Sequence, residues 1–146
     1  MKHPSHLPIL RRIIIIYVSL VVTSFTLVAI APGAVFLTVE NVAPEDAALG
    51  EPVPFEFCRY SRVGVIRAVG VRTVREVMSV SGDTIPAVEY EFPFTVEDRG
   101  CIDLFLTPNR QPQEPGSYFF ITTVFFSVSG IEKQVTYTSS EYNYGL

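Results

Sequence analysis

Residues 13–31 read IIIIYVSLVVTSFTLVAIA, an unbroken run of 19 residues without a charged side chain. At a rise of about 1.5 Å per residue, a helix of this length covers roughly 30 Å, the thickness of the hydrocarbon core of a bilayer. Serine and threonine are tolerated in such a helix because their hydroxyls bond back to helix carbonyls. Pro32 and Gly33 follow directly and typically end a helix. The run predicts one transmembrane helix that contacts the lipid bilayer through residues 13–31.

The charges on either side of this run predict its direction in the membrane. Lys2, Arg11 and Arg12 precede it with no acid among them, whereas all 15 acids and the other 8 of the 11 basic residues follow it. Positive residues stay on the cytoplasmic side. We therefore expect a basic cytoplasmic tail over residues 1–12, a signal-anchor helix over 13–34 and a domain over 35–146 that lies in the periplasm or at the cell surface.

A cleaved secretory signal peptide is the alternative reading of the same segment, because it also has a basic start, an apolar middle and small residues near its end. The apolar run is longer than a usual signal. The one Ala-x-Ala match, Ala29 to Ala31, would place Pro32 directly after the cut. The anchor is therefore the favoured interpretation, and a secreted domain released by cleavage remains the alternative.

Beyond Val35 the hydrophobic pattern alternates, which is typical of half-buried strands. About eight such segments are rich in β-branched or aromatic residues, and turn signals separate them. They are Val35–Val39, Val53–Cys58, Val63–Val71, Thr73–Val80, Val88–Val96, Cys101–Leu106, Tyr118–Val128 and Lys133–Thr138. The pattern predicts an all-β domain, a sandwich or a barrel whose strand order stays open.

Two stretches of this region resemble immunoglobulin-like domains of microbial surface proteins. The run from Val39 to Pro44, followed by Leu49-Gly50-Glu51-Pro52-Val53-Pro54-Phe55, looks like the first two strands of such domains. Pro115-Gly116-Ser117-Tyr118, a long apolar strand, a tight turn and the strand Val135-Thr136-Tyr137 are similar to their closing hairpin. The resemblance implies an antiparallel sandwich of about 7–8 strands over roughly residues 35–144.

The only two cysteines, Cys58 and Cys101, both fall on predicted strands. Both also lie at the parity opposite the phenylalanine or leucine positions of those strands, so two neighbouring strands of one sheet could present them on the same face. In an oxidising compartment this favours a structural disulfide that closes a long loop. Two free thiols are the alternative, and no Cys-x-x-Cys spacing suggests a redox pair.

Five arginines fall within 17 residues: Arg59, Arg62, Arg67, Arg72 and Arg75. They either pair with acids on neighbouring strands, at under about 1 kcal/mol for each exposed pair, or form a patch for an anionic partner such as lipid headgroups, surface glycans or an acidic protein face.

The segment from Tyr118 to Phe126 is apolar on both faces of its strand, whereas a sandwich strand normally shows one face to solvent. Burial on both sides explains this pattern. The surplus aromatics, Phe119 and Phe125, alternatively predict an apolar interface with a partner.

Catalytic chemistry has little support in the sequence. The only histidines, His3 and His6, precede the apolar run, so the predicted outer domain lacks a Ser-His or Cys-His arrangement and a His-based metal site. We expect no cofactor and no metal, and the acidic balance of the distal region argues against a nucleic-acid partner.

The favoured function is a membrane-tethered, non-enzymatic interaction module that acts as a structural or accessory subunit of an envelope complex, with another envelope or membrane protein as its partner. The alternatives are a secreted binding subunit and a phage-encoded or viral envelope protein that modifies the host surface.

Overall fold

The computed structural model describes residues 7–40, 43–61, 72–83, 85, 88–91 and 100–145. The chain divides into two compact units, residues 1–31 and residues 32–146. The first contains one helix. The second is built almost entirely from antiparallel strands.

Helix α1 extends over Leu7–Ile30. It begins six residues earlier than the apolar run predicts, because Leu7, Ile9 and Leu10 continue the apolar pattern and proline is compatible with the first helical turn. It ends at Ile30, before the helix-ending signal of Pro32 and short of the bound at residue 34 that we expect for the signal-anchor helix, because Gly33–Val35 forms a 3₁₀ turn.

The apolar side chains of α1 are exposed around its whole circumference. Thr26 Oγ1 donates a hydrogen bond of 2.8 Å to the Val22 carbonyl, the back-bonding expected of a hydroxyl in an apolar helix. The segment Pro8–Ile30 has 23 residues and contains a stretch of 18 residues with a mean hydropathy of 2.6. It is long and apolar enough to cross a membrane, a requirement that a signal sequence near the N-terminus also meets.

The described residues of the second unit form eight strands and two short 3₁₀ turns. The strands are β1 (Leu37–Glu40), β2 (Val53–Ser61), β3 (Arg72–Ser79), β4 (Val88–Glu91), β5 (Gly100–Leu106), β6 (Gly116–Val128), β7 (Ile131–Thr138) and β8 (Tyr142–Tyr144). The 3₁₀ turns are Gly33–Val35 and Pro108–Arg110.

These strands belong to two antiparallel sheets. The first has three strands in the order β1-β2-β5, and the second has five, in the order β4-β3-β6-β7 with β8 also paired to β6. Phe55 of the first sheet and Phe120 of the second meet edge to face, with their ring centroids 5.1 Å apart. The core therefore lies between the two sheets.

Strand β6 is the longest, and its alternation explains why it is central. Six alternate residues from Tyr118 to Val128 are buried, and the residues between them are half-buried on the opposite face. The next strand follows after Ser129 and Gly130, which both have positive φ, of 51° and 79°. Two such residues are what a two-residue hairpin turn requires.

Most predicted strands coincide with observed ones, and two features differ. The first predicted strand is partly a 3₁₀ turn, Gly33–Val35, before β1 begins at Leu37. Strand β8 was not predicted, because Tyr-Asn-Tyr is too short to show a period. The predicted strand Val63–Val71 and the second half of Val88–Val96 lie outside the described residues.

Gly33 packs directly against the backbone of β7. A Cβ at this position would overlap with the Gln134 carbonyl oxygen and lie 2.7 Å from the carbonyl carbon. We expect Gly33→Ala to lower the free energy of unfolding by about 1–3 kcal/mol, because backbone atoms cannot move aside as a side chain can. Denaturant unfolding of the full chain in detergent micelles measures the change.

Ala34→Ser is the matched control for Gly33→Ala, since Ala34 is the exposed neighbour in the same turn. An equal loss in both variants would show that the turn tolerates no change, and would contradict a specific close approach at Gly33.

Candidate interaction surfaces

The outer face of the five-stranded sheet carries an apolar strip where β3 and β6 lie side by side. We name this strip the apolar face; its residues are Val74, Met78, Phe119, Ile121 and Phe125. All five are half-buried, although they point away from the core. Met78 is directly opposite Phe119 in the strand register. Neighbouring side chains of the same sheet account for part of this burial.

Polar groups lie within the apolar face as well as beside it. In the strand register, Glu76 is directly opposite Ile121 and Thr123 is directly opposite Val74. The Arg72 guanidinium lies 4.4 Å from the centre of the Phe125 ring, a cation–π contact at the exposed end of β3. On the β7 side, the Thr123 and Thr136 hydroxyls are 3.2 Å apart. The outward residues of β7, from Glu132 to Thr138, are polar and exposed. Apolar and polar side chains therefore alternate on this face, and Met78 with Phe119 is the one directly opposed pair of its described β3 and β6 residues that is apolar on both strands.

The described arginines of the predicted anionic-partner patch have different surroundings. Arg72 lies on the outer face of the five-stranded sheet and is exposed. Arg59 lies on the same side of β2 as the core residues, and burial lowers the pKa of its guanidinium. Arg62 and Arg67 lie outside the described residues.

Arg75 belongs to the core, with only 3% of its surface exposed. Its guanidinium carbon lies 4.4 Å from the centre of the Phe55 ring and 5.3 Å from that of Phe120. Its Nε–H donates to the Thr122 hydroxyl at 3.1 Å. A spacing of arginines in sequence cannot reveal such a site, because only the strand register shows that Arg75 has the inward parity of Thr73 and Val77.

The two cysteines form a disulfide, Cys58–Cys101, which joins β2 and β5 across the three-stranded sheet. They are direct partners in the register, and their Cα atoms are 4.0 Å apart. Cys101 is exposed and Cys58 half-buried, on the outer side of the sheet. The bond joins neighbouring strands of one sheet, which is the arrangement that the parity of the two cysteines predicts.

Strand β8, Tyr142–Tyr144, makes a set of contacts that the sequence does not predict; we name these contacts the clasp. Tyr142 and Tyr144 of β8 are each 1% exposed. The Tyr142 hydroxyl donates to Gln111 Oε1 at 3.0 Å, and Gln111 Nε2 donates to the Leu106 carbonyl at 3.2 Å. Burial raises the pKa of Tyr142 strongly, with smaller contributions from the neighbouring tyrosines.

The loop before β2 also contributes to the clasp, because two of its residues form hydrogen bonds with β8. The Asn143 backbone N–H and side-chain Nδ2 donate to the Asp46 carboxylate at 2.7 and 3.3 Å. The Gly50 backbone N–H donates to the Tyr144 hydroxyl at 2.7 Å. The hydrogen bond from the Asn143 backbone, followed by that from its side chain, lowers the pKa of Asp46.

A groove of about 460 Å³ lies between the β3 end and the loop before β6. Its lining includes Asp83, Glu114 and Tyr118. Burial is the main cause of the raised pKa of the Tyr118 hydroxyl, and the charges of Glu114 and Asp83 add to it. That hydroxyl donates to the Glu114 carbonyl at 2.8 Å. These contacts hold the loop before β6 in place. In the same lining, the Ser81 hydroxyl donates to Asp83 Oδ2 at 3.4 Å and lies 2.6 Å from the Ser79 hydroxyl.

No protein-family model matches this chain, and a search of curated proteins gives no match either. Among solved structures, it is similar to the alkylpurine DNA glycosylase AlkC of Pseudomonas fluorescens, with a TM-score of 0.45 and 11% identity over 75% of this chain and 30% of that one. A CARDB domain from Pyrococcus furiosus gives a TM-score of 0.39 and 14% identity, over 71% of this chain and 90% of that domain.

A third similar structure, the beta-glucosidase of Listeria innocua, gives a TM-score of 0.38 and 16% identity over 75% of this chain. The chain spans about 16% of the glucosidase and about 30% of the glycosylase. All three TM-scores are below 0.5, so none of these likenesses supports a function for this chain.

Replacing Tyr142 by phenylalanine tests the clasp. The variant leaves the buried Gln111 Oε1 without its donor, so we expect a loss of about 1–3 kcal/mol in the free energy of unfolding. Denaturant unfolding followed by far-ultraviolet circular dichroism measures it. Tyr17→Phe, in α1, removes an exposed hydroxyl and is expected to change nothing. Equal stabilities of the two variants would contradict the role of the Tyr142 hydroxyl.

The pH dependence of stability tests the Asp46 contact. Since its pKa is lower in the folded chain than the ordinary value of 3.8, Asp46 stabilises the fold above that value, and the contribution disappears as the pH falls through the lower, folded pKa. We expect the Tm difference between the wild type and Asp46→Ala to be largest near neutral pH and to shrink below about pH 4. The effect is small because the carboxylate is exposed.

Thermal unfolding at a series of pH values measures the Asp46 effect, with Glu132→Ala as the control because Glu132 is an exposed acid on β7. A Tm difference that stays constant from neutral to acid pH would contradict the proposed contribution of the ionised Asp46.

Proposed function

We propose that this chain is a membrane-tethered interaction module without catalytic activity, whose β unit lies outside the cytoplasm. One observation carries the proposal. The apolar side chains of α1 are exposed over a length of 23 residues, next in sequence to a separate compact unit of strands. An apolar surface of this length needs lipid to cover it.

The orientation rests on charge and on the disulfide. Arg11 and Arg12 lie near the amino end of α1, where the positive-inside tendency places the cytoplasm. The Cys58–Cys101 bond belongs to the β unit, and disulfides persist mainly in oxidising compartments. The two arguments are independent, and both favour an extracytoplasmic β unit.

The grouping of the strands supports an immunoglobulin-like sandwich. In that fold the first, second and fifth strands share one sheet, and the third, sixth and seventh share the other. Here β1, β2 and β5 form one sheet, and β3, β6 and β7 belong to the other. Strand β4 differs, because it pairs with β3 instead of β5.

The interaction itself is assigned to the apolar face, through which the β unit binds another envelope or membrane protein. Phe119, Ile121 and Phe125 occupy outward positions that a solvent-facing strand fills with polar residues.

Mass spectrometry of the membrane and soluble fractions of the same cells tests the tether. We expect the full-length mass in the membrane fraction alone. A mass in the soluble extracytoplasmic fraction that matches a chain beginning near residue 32 would contradict the tether and show a secreted subunit. Labelling of Glu132→Cys in intact cells with a membrane-impermeant maleimide tests the orientation, with the wild type as the unreactive control because its two cysteines are bonded.

Photo-crosslinking tests the assigned face. A photoreactive residue at position 119 or 125 is expected to give a covalent adduct with a membrane protein in intact cells, because an interface excludes competing water. The control position is Thr107, which is exposed beyond the end of β5. Equal adduct formation from position 107, or no adduct from any of the three positions, would contradict the assignment of the apolar face as the binding surface.

A further inference from the structure

The outer side of the three-stranded sheet brings together four residues whose side chains are metal ligands in other proteins. Cys58 is the direct partner of Cys101, and two positions along the same strands Glu56 is the direct partner of Asp103. The spacing of two residues places all four on one face of the sheet.

Three of these side chains place their ligand atoms close together. A carboxylate oxygen of Glu56, Cys58 Sγ and Cys101 Sγ all lie within 4.8 Å of one another. Glu56 and Cys101 are exposed, and Cys58 is half-buried. A solvent-borne ion and a reductant can therefore both reach the group without any rearrangement of the core.

The charges of this face also favour a cation. Glu56 and Asp103 are opposite each other, and like charges directly across a strand pair destabilise a sheet. Within the ranges that the structure describes, neither carboxylate takes part in an ion pair or a hydrogen bond. A bound divalent cation would offset this repulsion.

We propose that reduction of the Cys58–Cys101 disulfide creates a binding site for a thiophilic divalent cation of the zinc class, with Cys58, Cys101 and Glu56 as its protein ligands. The reductant is a dithiol. Its two S–H bonds are lost and its sulfurs form a disulfide, while the Cys58–Cys101 bond breaks and each cysteine sulfur gains a proton. Binding of the cation then releases both protons, because the thiolates are the ligands.

The geometry suits tetrahedral zinc better than larger, oxygen-preferring cations. Zinc–sulfur distances near 2.3 Å place two sulfurs about 3.8 Å apart, a separation that side-chain rotation supplies once the bond is broken. Two thiolates select a soft cation over calcium or magnesium. Water completes the coordination, and Asp103 contributes its negative charge.

The ion would close the same loop as the disulfide, which joins residues 43 positions apart. The β2–β5 pair would thus keep a cross-link in both states, covalent when oxidised and ionic when reduced. Glu56 takes part in the second cross-link only. This difference between the two states makes the site testable.

The test uses the full chain in detergent micelles, before and after treatment with a dithiol that is then removed without oxygen. Zinc is titrated in competition with a chromophoric chelator, and cadmium by its ultraviolet thiolate charge-transfer band. We expect no binding to the oxidised chain and one equivalent bound by the reduced chain. Binding to the oxidised chain, or its absence from the reduced chain, would overturn the proposal.

The variant Glu56→Gln distinguishes a site that includes the Glu56 carboxylate from binding by the two thiols alone. We expect it to weaken zinc binding by the reduced chain at least tenfold, and Asp103→Asn to weaken it less. Glu132→Gln, an exposed acid on β7, is the control and should match the wild type. Equal affinity of Glu56→Gln and the wild type would show that only the thiols bind, and would reject the site.

Circular dichroism of the same samples covers the case in which reduction unfolds the β unit. Refolding by one equivalent of zinc in the wild type, without refolding of Glu56→Gln, supports the site. Failure of zinc to restore the wild-type spectrum would overturn it.

Discussion

The contact between Phe55 and Phe120 is the interaction on which the β unit depends, because it joins the two sheets at the centre of the core. Phe120 is fully buried, and its ring also faces Tyr142 at a centroid distance of 6.3 Å. The Arg75 guanidinium lies near both phenylalanine rings. A buried cation is costly unless its donors are used, and here ring faces and the Thr122 hydroxyl receive it. The core is therefore partly polar, and its register is fixed by specific contacts as well as by apolar area.

This centre explains why the last residues of the chain matter to the fold. Tyr142 covers Phe120 and at the same time donates to Gln111, whose side chain reaches the Leu106 carbonyl at the end of β5. One short strand thereby connects β6 to the end of the first sheet. A second contact holds Phe120 in place, because the Ser139 hydroxyl accepts a hydrogen bond of 2.9 Å from the Phe120 backbone N–H. The clasp thus acts on the same residue that joins the sheets.

The sequence predicts those elements whose pattern is long and regular. The helix, the β6–β7 hairpin with its Ser129-Gly130 turn, and the pairing of Cys58 with Cys101 all follow from local periodicity or parity. Arg75 and β8 could not be predicted in this way. The position of Arg75 depends on a register set by β6, and the burial of Tyr142 depends on a loop about thirty residues away in sequence. Phe119 and Phe125 lie between these cases: parity correctly places them on the outer face, but sequence cannot show what covers them.

The inward and outward sides of the sheets therefore differ in how far stability explains their residues. Inside, each described buried side-chain nitrogen or oxygen has a hydrogen-bond partner, as a stable core requires. Outside, stability explains neither the aromatic side chains of β6 nor the two acids that face each other beside the disulfide. Surplus apolar residues on one outer face and surplus negative charge on the other each cost stability in the isolated chain. Each cost is offset once a partner or a cation is bound, which is why we assign binding to the outer faces of the sheets.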